Sequence, residues 1–100
     1  MWVDDLRFEW DAPKNESNKR KHGVSFEEAQ TVFSDEHGLL LDDPAHSEDE
    51  ARFVLLGLSS TLRTLVVCHC YRSGADVIRI ISARKAERHE ETQYNERFQR

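Results

Sequence analysis

Apolar and polar positions alternate over residues 6–10, with Leu6, Phe8 and Trp10 on one side and Arg7 and Glu9 on the other, which predicts a short first strand. Asp11 is placed to cap a helix over residues 14–22, and Pro13 is tolerated in its first turn. That helix has almost no apolar face, so it is expected on the surface, with Gly23 ending it in a left-handed conformation. Ser25 and Glu28 form a capping box, flanked by Val24 and Ala29 at the positions of a hydrophobic staple. Phe26, Ala29, Val32 and Phe33 then recur at helical spacing, so the second helix buries one stripe. A strand is expected over residues 39–42, followed by the polar loop DPAHSED. Residues 51–58 and 62–71 are apolar on both faces and rich in β-formers, as central strands are. The SGAD turn leads into a strand over 77–81, and Ser82 is placed to cap a last helix reaching about Phe98, with Ala83, Ala86, Tyr94 and Phe98 near one face.

The order β, α, α, strand meander, α predicts an α+β fold: an antiparallel sheet meander with two N-terminal helices and one C-terminal helix. One hundred residues suffice for one core and not two, and no repeat or linker divides them, so residues 1–100 are expected to form a single domain. With 4 Gly, 2 Pro and nine aromatic residues in all, the chain is not a low-complexity polymer. The longest uninterrupted apolar run, residues 53–58, is far short of a membrane span, and acids stand near the start where a signal peptide needs bases. A cytoplasmic protein with no membrane partner is expected.

The net charge of −5 counts against nucleic acid until its distribution is read. Residues 1–22 are neutral, residues 23–51 carry nine acids and no Lys or Arg, and residues 52–89 carry seven bases against two acids. Six of those seven are Arg, whose planar fork grips two phosphate oxygens at once. Arg72 ends one strand, Arg79 faces away from Ile78 and Ile80 on the next, and Arg84 opens the last helix, so the three can converge on one groove, with Arg52 beginning the strand before. Such a groove suits a phosphate whose negative charge grows during transfer. The same arginines could equally solvate strand faces and pair with the acids.

His69 sits between Cys68 and Cys70 and faces away from both sulfurs. A lone Cys-X-Cys closes no tetrahedral zinc site and makes no disulfide, so no metal and no cofactor are expected. His69 is either a core residue or a titrating group near the arginines. His22, beside Lys21 at a helix C-terminus, reads as a helix-end cation. The run Lys19, Arg20, Lys21 is either a nucleic-acid patch or the solvated side of a polar helix, and Tyr94 reads first as a packing residue.

FEWD at 8–11, Lys14, Asn18, KHGVSFEEA at 21–29 and the Val32-Phe33 pair resemble the opening of the BrnT family. HSEDEAR ending at Arg52, the LVV run, IRIISARKA at 78–86 and Tyr94 resemble the remainder, so the likeness runs from about residue 8 to 98. The resemblance implies a toxin of a bacterial type II toxin–antitoxin system, with a RelE-like α+β fold and a ribonuclease activity that stops translation. It also implies a ribbon-helix-helix antitoxin of the BrnA kind as partner, promoter DNA bound only through that complex, and a possible pairing of two toxin chains within it. A basic sheet face as active site favours Arg72, Arg79 and Arg84.

The expected chemistry is metal-independent RNA cleavage, in which the substrate's own 2′-hydroxyl attacks the adjacent phosphate. Arg79 and Arg84 would stabilise the phosphorane and Arg72 would position the phosphate. His69 would serve as acid or base, Tyr94 would be a second candidate, and Arg52, Lys21 and Arg20 would hold the RNA backbone. The competing expectation is a non-catalytic module whose Arg groove docks an acidic partner or antitoxin segment.

Overall fold

Five strands form one sheet in the order β1-β5-β4-β3-β2 in the computed structural model, which describes residues 6–43, 51–72, 74 and 76–99. Strands β2 (Leu39–Asp42), β3 (Phe53–Leu58), β4 (Thr64–Arg72) and β5 (Val77–Lys85) make the antiparallel meander. The first strand, β1 (Arg7–Glu9), departs from the expected meander because it lies parallel to β5. Two helices intervene between β1 and the meander, and that long connection is what a parallel pairing needs. Most of the DPAHSED loop, with His46, and two positions of the SGAD turn lie outside the described residues, as does the Phe98 side chain.

One face of the sheet carries the main core. Leu55, Leu65, Val67, Ile78, Ile80 and Ala83 pack there against Val24, Phe26, Ala29 and Val32. These last four come from α2 (Phe26–Thr31), the residues just before it and the short 3-10 turn Val32–Ser34 that follows. Ser25 caps α2 by accepting from the Glu28 amide at 3.0 Å, but the Glu28 side chain does not reach back as a full box would. It turns instead to Arg63, Ser59 and Thr61 in the β3–β4 turn. The opposite face carries a smaller cluster, Leu56, Val66 and Tyr94, where α3 (Arg88–Asn95) lies on the sheet.

Helix α1 (Ala12–His22) is polar as expected and ends at Gly23 with φ 71°. It is nonetheless anchored, through two buried asparagines rather than an apolar stripe. Asn15 accepts from the Phe26 amide at 2.8 Å. Asn18 donates to the Val24 and Ala83 carbonyls, both at 2.8 Å, and accepts from the Ala83 amide at 3.2 Å. Strand β1 covers β5 only from Val77 to Arg79, so among the described residues the outer edge of β5 beyond it has no strand neighbour. The Asn18 amide stands in for a strand peptide there and satisfies a backbone pair that burial would otherwise leave unmet.

The last helix begins later than its sequence suggests. Ser82 does not cap it: residues 82–85 continue β5, because β4 extends far enough to pair Arg84 with Val66 and Lys85 with Leu65. The cap is Glu87, in a reciprocal box with Glu90. Arg84 is therefore a strand residue.

Candidate active site

Arg79 and Arg84 are five residues apart on one strand, and plain alternation would send them to opposite faces. The register against β4 slips between Cys68 and His69: Cys68 faces Ser82 while His69 faces Ile80, leaving Ile81 as an extra residue. A bulge of this kind re-aims the side chains beyond it. Ile78, Ile80 and Ala83 all stay in the main core, so Arg79, Ser82 and Arg84 all emerge on the other face. Arg72 joins them there, since its neighbour Tyr71 packs against the core.

The arginines share a face but form two groups. Arg84 pairs across from Val66 and Arg79 from Cys70, four β4 residues apart or about 13 Å. Arg79 and Arg72 are joined by Glu9 of β1, at 2.9 and 3.6 Å. Arg84 lies in a separate cleft of about 350 Å3, lined by His22, Asp43, Arg52, Val54, Val66, Cys68, Ile81, Ser82, Ala83 and Arg84.

Within the cleft, Arg84 is held by Glu90 of α3, its two terminal nitrogens donating to the two carboxylate oxygens at 2.8 and 2.9 Å. One of them also donates to the Lys85 carbonyl at 3.2 Å. That grip uses the end of the fork, and among the described residues nothing takes the Nε–H on its side edge. Arg52 enters from the foot of β3 with its Nε buried and without a hydrogen-bond partner among the described residues. A buried unpaired donor is costly in a folded protein, and a bound water, an ion or a ligand oxygen satisfies it. On the same wall, Cys68 donates to Asp43 at 3.4 Å; burial, with the Asp43 carboxylate, pushes its thiol up to about 11.

A larger hollow of about 620 Å3 lies on the α2 side, lined by Leu6, Phe8, Gln30, Thr31, Ser34, Asp35 and the 58–60 turn. Among the described residues it offers no cation, and the one carboxylate they bring to it, Asp35, already accepts from the Tyr94 hydroxyl and from the Leu58 amide. It is not built for phosphate.

Residues 10–90 match the family model described as the ribonuclease toxin BrnT of type II toxin–antitoxin systems. The chain belongs to the BrnT family. A crystal structure of the Brucella abortus ribonuclease toxin BrnT is similar, with TM-score 0.59 and 24% identity over 83% of this chain and 99% of that one. This likeness establishes the fold. No curated protein sequence matches significantly. As a BrnT-family member the chain is a ribonuclease toxin of a type II toxin–antitoxin system, and a cognate antitoxin is its partner. No helix among the described residues is long and apolar enough to cross a membrane.

Two candidates for BrnT chemistry are not brought to the cleft. His69 is fully buried on the main-core face, opposite the arginines. Its ring packs at 4.8 Å from Phe33 and 5.2 Å from Tyr71, and its Nδ1 lies 3.1 Å from the Val67 carbonyl. Burial lowers its pKa, so it stays neutral. Tyr94 is 2% exposed and donates to Asp35, tying α3 to the loop before β2. Burial and the Asp35 carboxylate raise its pKa, which suits a fixed donor. Arg20 and Lys21 are exposed on the last turn of α1.

Sequence reasoning did not place His22, Asp43 or Glu90 at this cleft, where His22 and Asp43 line the wall and Glu90 holds Arg84. For His22 a signal existed: Asn18 and His22 are four apart, so an asparagine that holds the helix to β5 also aims the histidine at the same place. Glu90 had a weaker signal as the third helical residue of α3, legible only once the helix start is moved to Arg88. Asp43 had none, since a carboxylate among nine acids does not stand out.

Proposed function

We propose that this BrnT-family toxin is a metal-independent endoribonuclease that cuts RNA by attack of the 2′-hydroxyl on the adjacent phosphate, and that the Arg84–Arg52 cleft is where it does so. The observation that carries the reading is a pair of guanidinium groups lining one cleft, one with its Nε–H turned from its carboxylate partner and the other with a buried Nε that has no partner among the described residues. Two such donors match a phosphorane, which carries more negative charge than the phosphate it comes from. Glu90 fixes the Arg84 fork before substrate arrives, so little reorganisation is needed. Arg79 and Arg72, farther along the same face, hold flanking backbone, and Arg20 and Lys21 do so from the end of α1. His69 acts through packing, and Tyr94 through packing and its hydrogen bond to Asp35.

The setting proposed is the bacterial cytoplasm, with a ribbon-helix-helix antitoxin that covers the basic face, pairs two toxins and carries the complex to its promoter. Growth arrest follows from loss of translated RNA. One observation favours a second reading: Arg84, Arg79 and Arg72 each already hold a carboxylate, as a surface for docking acidic segments would. Incubating the purified chain with an RNA oligonucleotide and with the all-deoxy strand of the same sequence separates the two. A nuclease of this type shortens only the RNA, whereas a docking module leaves both lengths unchanged at every protein concentration.

A further inference from the structure

Cleavage by an internal hydroxyl needs a proton removed from the 2′ oxygen and another delivered to the departing 5′ oxygen, and neither can come from an arginine, which stays charged throughout the accessible pH range. Among the described residues, the polar groups on the cleft lining are His22, Asp43, Arg52, Cys68, Ser82 and Arg84. The Cys68 thiol is held against Asp43 and is a poor proton donor at neutral pH. The Ser82 hydroxyl does not titrate. An ionised carboxylate accepts a proton but has none to give. Histidine is the residue type that exchanges its proton near neutral pH.

Placement agrees with this sorting. His22 is the last residue of α1, one turn past Asn18, whose amide is clamped to the β5 backbone at Ala83. It therefore stands over the open outer edge of β5. Asp43 stands at the other rim, where its amide donates to the Arg52 carbonyl at 3.1 Å beside the foot of β3. Strands β5, β4, β3 and β2 separate the two backbones by three inter-strand spacings, about 14 Å, and the Asp43 carboxylate reaches inward to Cys68 on β4, so that both side chains line the intervening floor. In-line displacement puts the attacking and leaving oxygens on opposite sides of phosphorus, and a proton acceptor and a proton donor that enter the floor from opposite rims meet that requirement.

We infer that His22 is the general acid and Asp43 the general base of the cleavage reaction, an assignment that rests on the Arg84–Arg52 cleft being the nuclease site. The Asp43 carboxylate takes the 2′-hydroxyl proton as the 2′ oxygen bonds to phosphorus. The bond from phosphorus to the 5′ oxygen breaks with its electron pair going to that oxygen, which takes the His22 proton. The products are a 2′,3′-cyclic phosphate and a 5′-hydroxyl.

A substrate whose leaving oxygen is replaced by sulfur tests the assignment, because a thiolate departs without protonation. The probes are an RNA oligonucleotide carrying one mapped cleavage site and the same oligonucleotide with a 5′-bridging phosphorothiolate at that linkage. Wild type should cut both. His22→Gln should lose about 100-fold or more on the oxygen substrate and recover to within about 10-fold of wild type on the sulfur one. Asp43→Asn should lose activity on both, since its proton transfer is needed whichever atom leaves. Recovery on the sulfur substrate also reports that His22→Gln is folded. Equal losses of His22→Gln on both substrates, or full activity on the oxygen one, overturn the acid assignment, and an unimpaired Asp43→Asn overturns the base. Wild type cutting neither substrate removes the nuclease reading itself, and the assignment with it.

Discussion

Asn18 and Ala83 lie sixty-five residues apart, yet the side-chain amide of one makes both backbone hydrogen bonds of the other, at 2.8 and 3.2 Å. This junction fastens a helix without an apolar face to a strand edge without a neighbour, and it sets the distance between the end of α1 and the arginine cleft. Asn18→Asp keeps the shape and the acceptor but loses both donations, to Ala83 and to Val24. Two buried carbonyls are then left facing a carboxylate. The expected loss is about 2–3 kcal/mol, read as a lower urea midpoint with an unchanged slope.

The Glu28–Arg63 pair predicts a defined acid sensitivity. The Arg63 guanidinium, helped by the Thr61 and Ser59 hydroxyls against the opposing effect of burial, lowers the Glu28 carboxyl from 4.5 to about 2. The folded value lies below the unfolded one, so this contribution is complete above pH 4.5 and is lost as pH falls toward 2. It is on the order of 3 kcal/mol, and the Glu28 side chain is only 13% exposed, so solvent screens it little. Urea unfolding of wild type and Glu28→Gln between pH 7 and pH 2 should show a stability gap that closes across that window. A constant gap would dissociate the pair from the acid sensitivity.

The two cleft arginines should separate stability from activity. Arg52 keeps a buried Nε without a partner among the described residues, so Arg52→Met relieves an unmet donor. Its thermal midpoint should equal or exceed that of wild type, while RNA cleavage falls by about 100-fold or more. Arg84→Ala should cost a similar factor in kcat and spare the fold. Arg79→Ala, in the group bridged by Glu9, should act mainly through KM and through a weaker dependence on salt.

Gly57 is a point where the sheet and α2 region approach too closely for any side chain. A Cβ there would lie 2.7 Å from a Val32 methyl carbon and 3.2 Å from an Asp35 carboxylate oxygen. Gly57→Ala should destabilise the protein by about 1–3 kcal/mol, measured by urea unfolding, because both neighbours belong to packed segments.

Much of the fold was legible because local rules governed it. The Ser25 cap, the left-handed Gly23, the buried stripe of α2 and the four meander strands all follow from patterns within a few residues. The misses come from long-range partners. Arg84 sits on a strand because β4 extends to receive it, and no property of residues 82–85 reveals how far β4 reaches. The expected convergence of Arg72, Arg79 and Arg84 on one groove is not found: a bulge at Ile81, which alternation does not foretell, brings them to one face, but Arg84 lies in a cleft apart from the other two. His69 is a core residue for a reason that alternation did contain: it shares a face with Leu65, Val67 and Tyr71, which the helices cover. Its charge chemistry outweighed its position in the sequence reading. His22 was read as a helix-end cation because its place at the cleft depends on Asn18 meeting Ala83 across sixty-five residues.

Analysis of product ends tests the central claim most directly. Purified toxin is incubated with RNA in EDTA, and the termini of the fragments are identified by mass spectrometry. Attack by the 2′-hydroxyl within the arginine cleft predicts fragments ending in 2′,3′-cyclic phosphate and beginning with 5′-hydroxyl, formed at the same rate with and without chelator and lost in Arg84→Ala. Intact RNA in EDTA from a folded protein, or fragments with 5′-phosphate and 3′-hydroxyl ends, would contradict it.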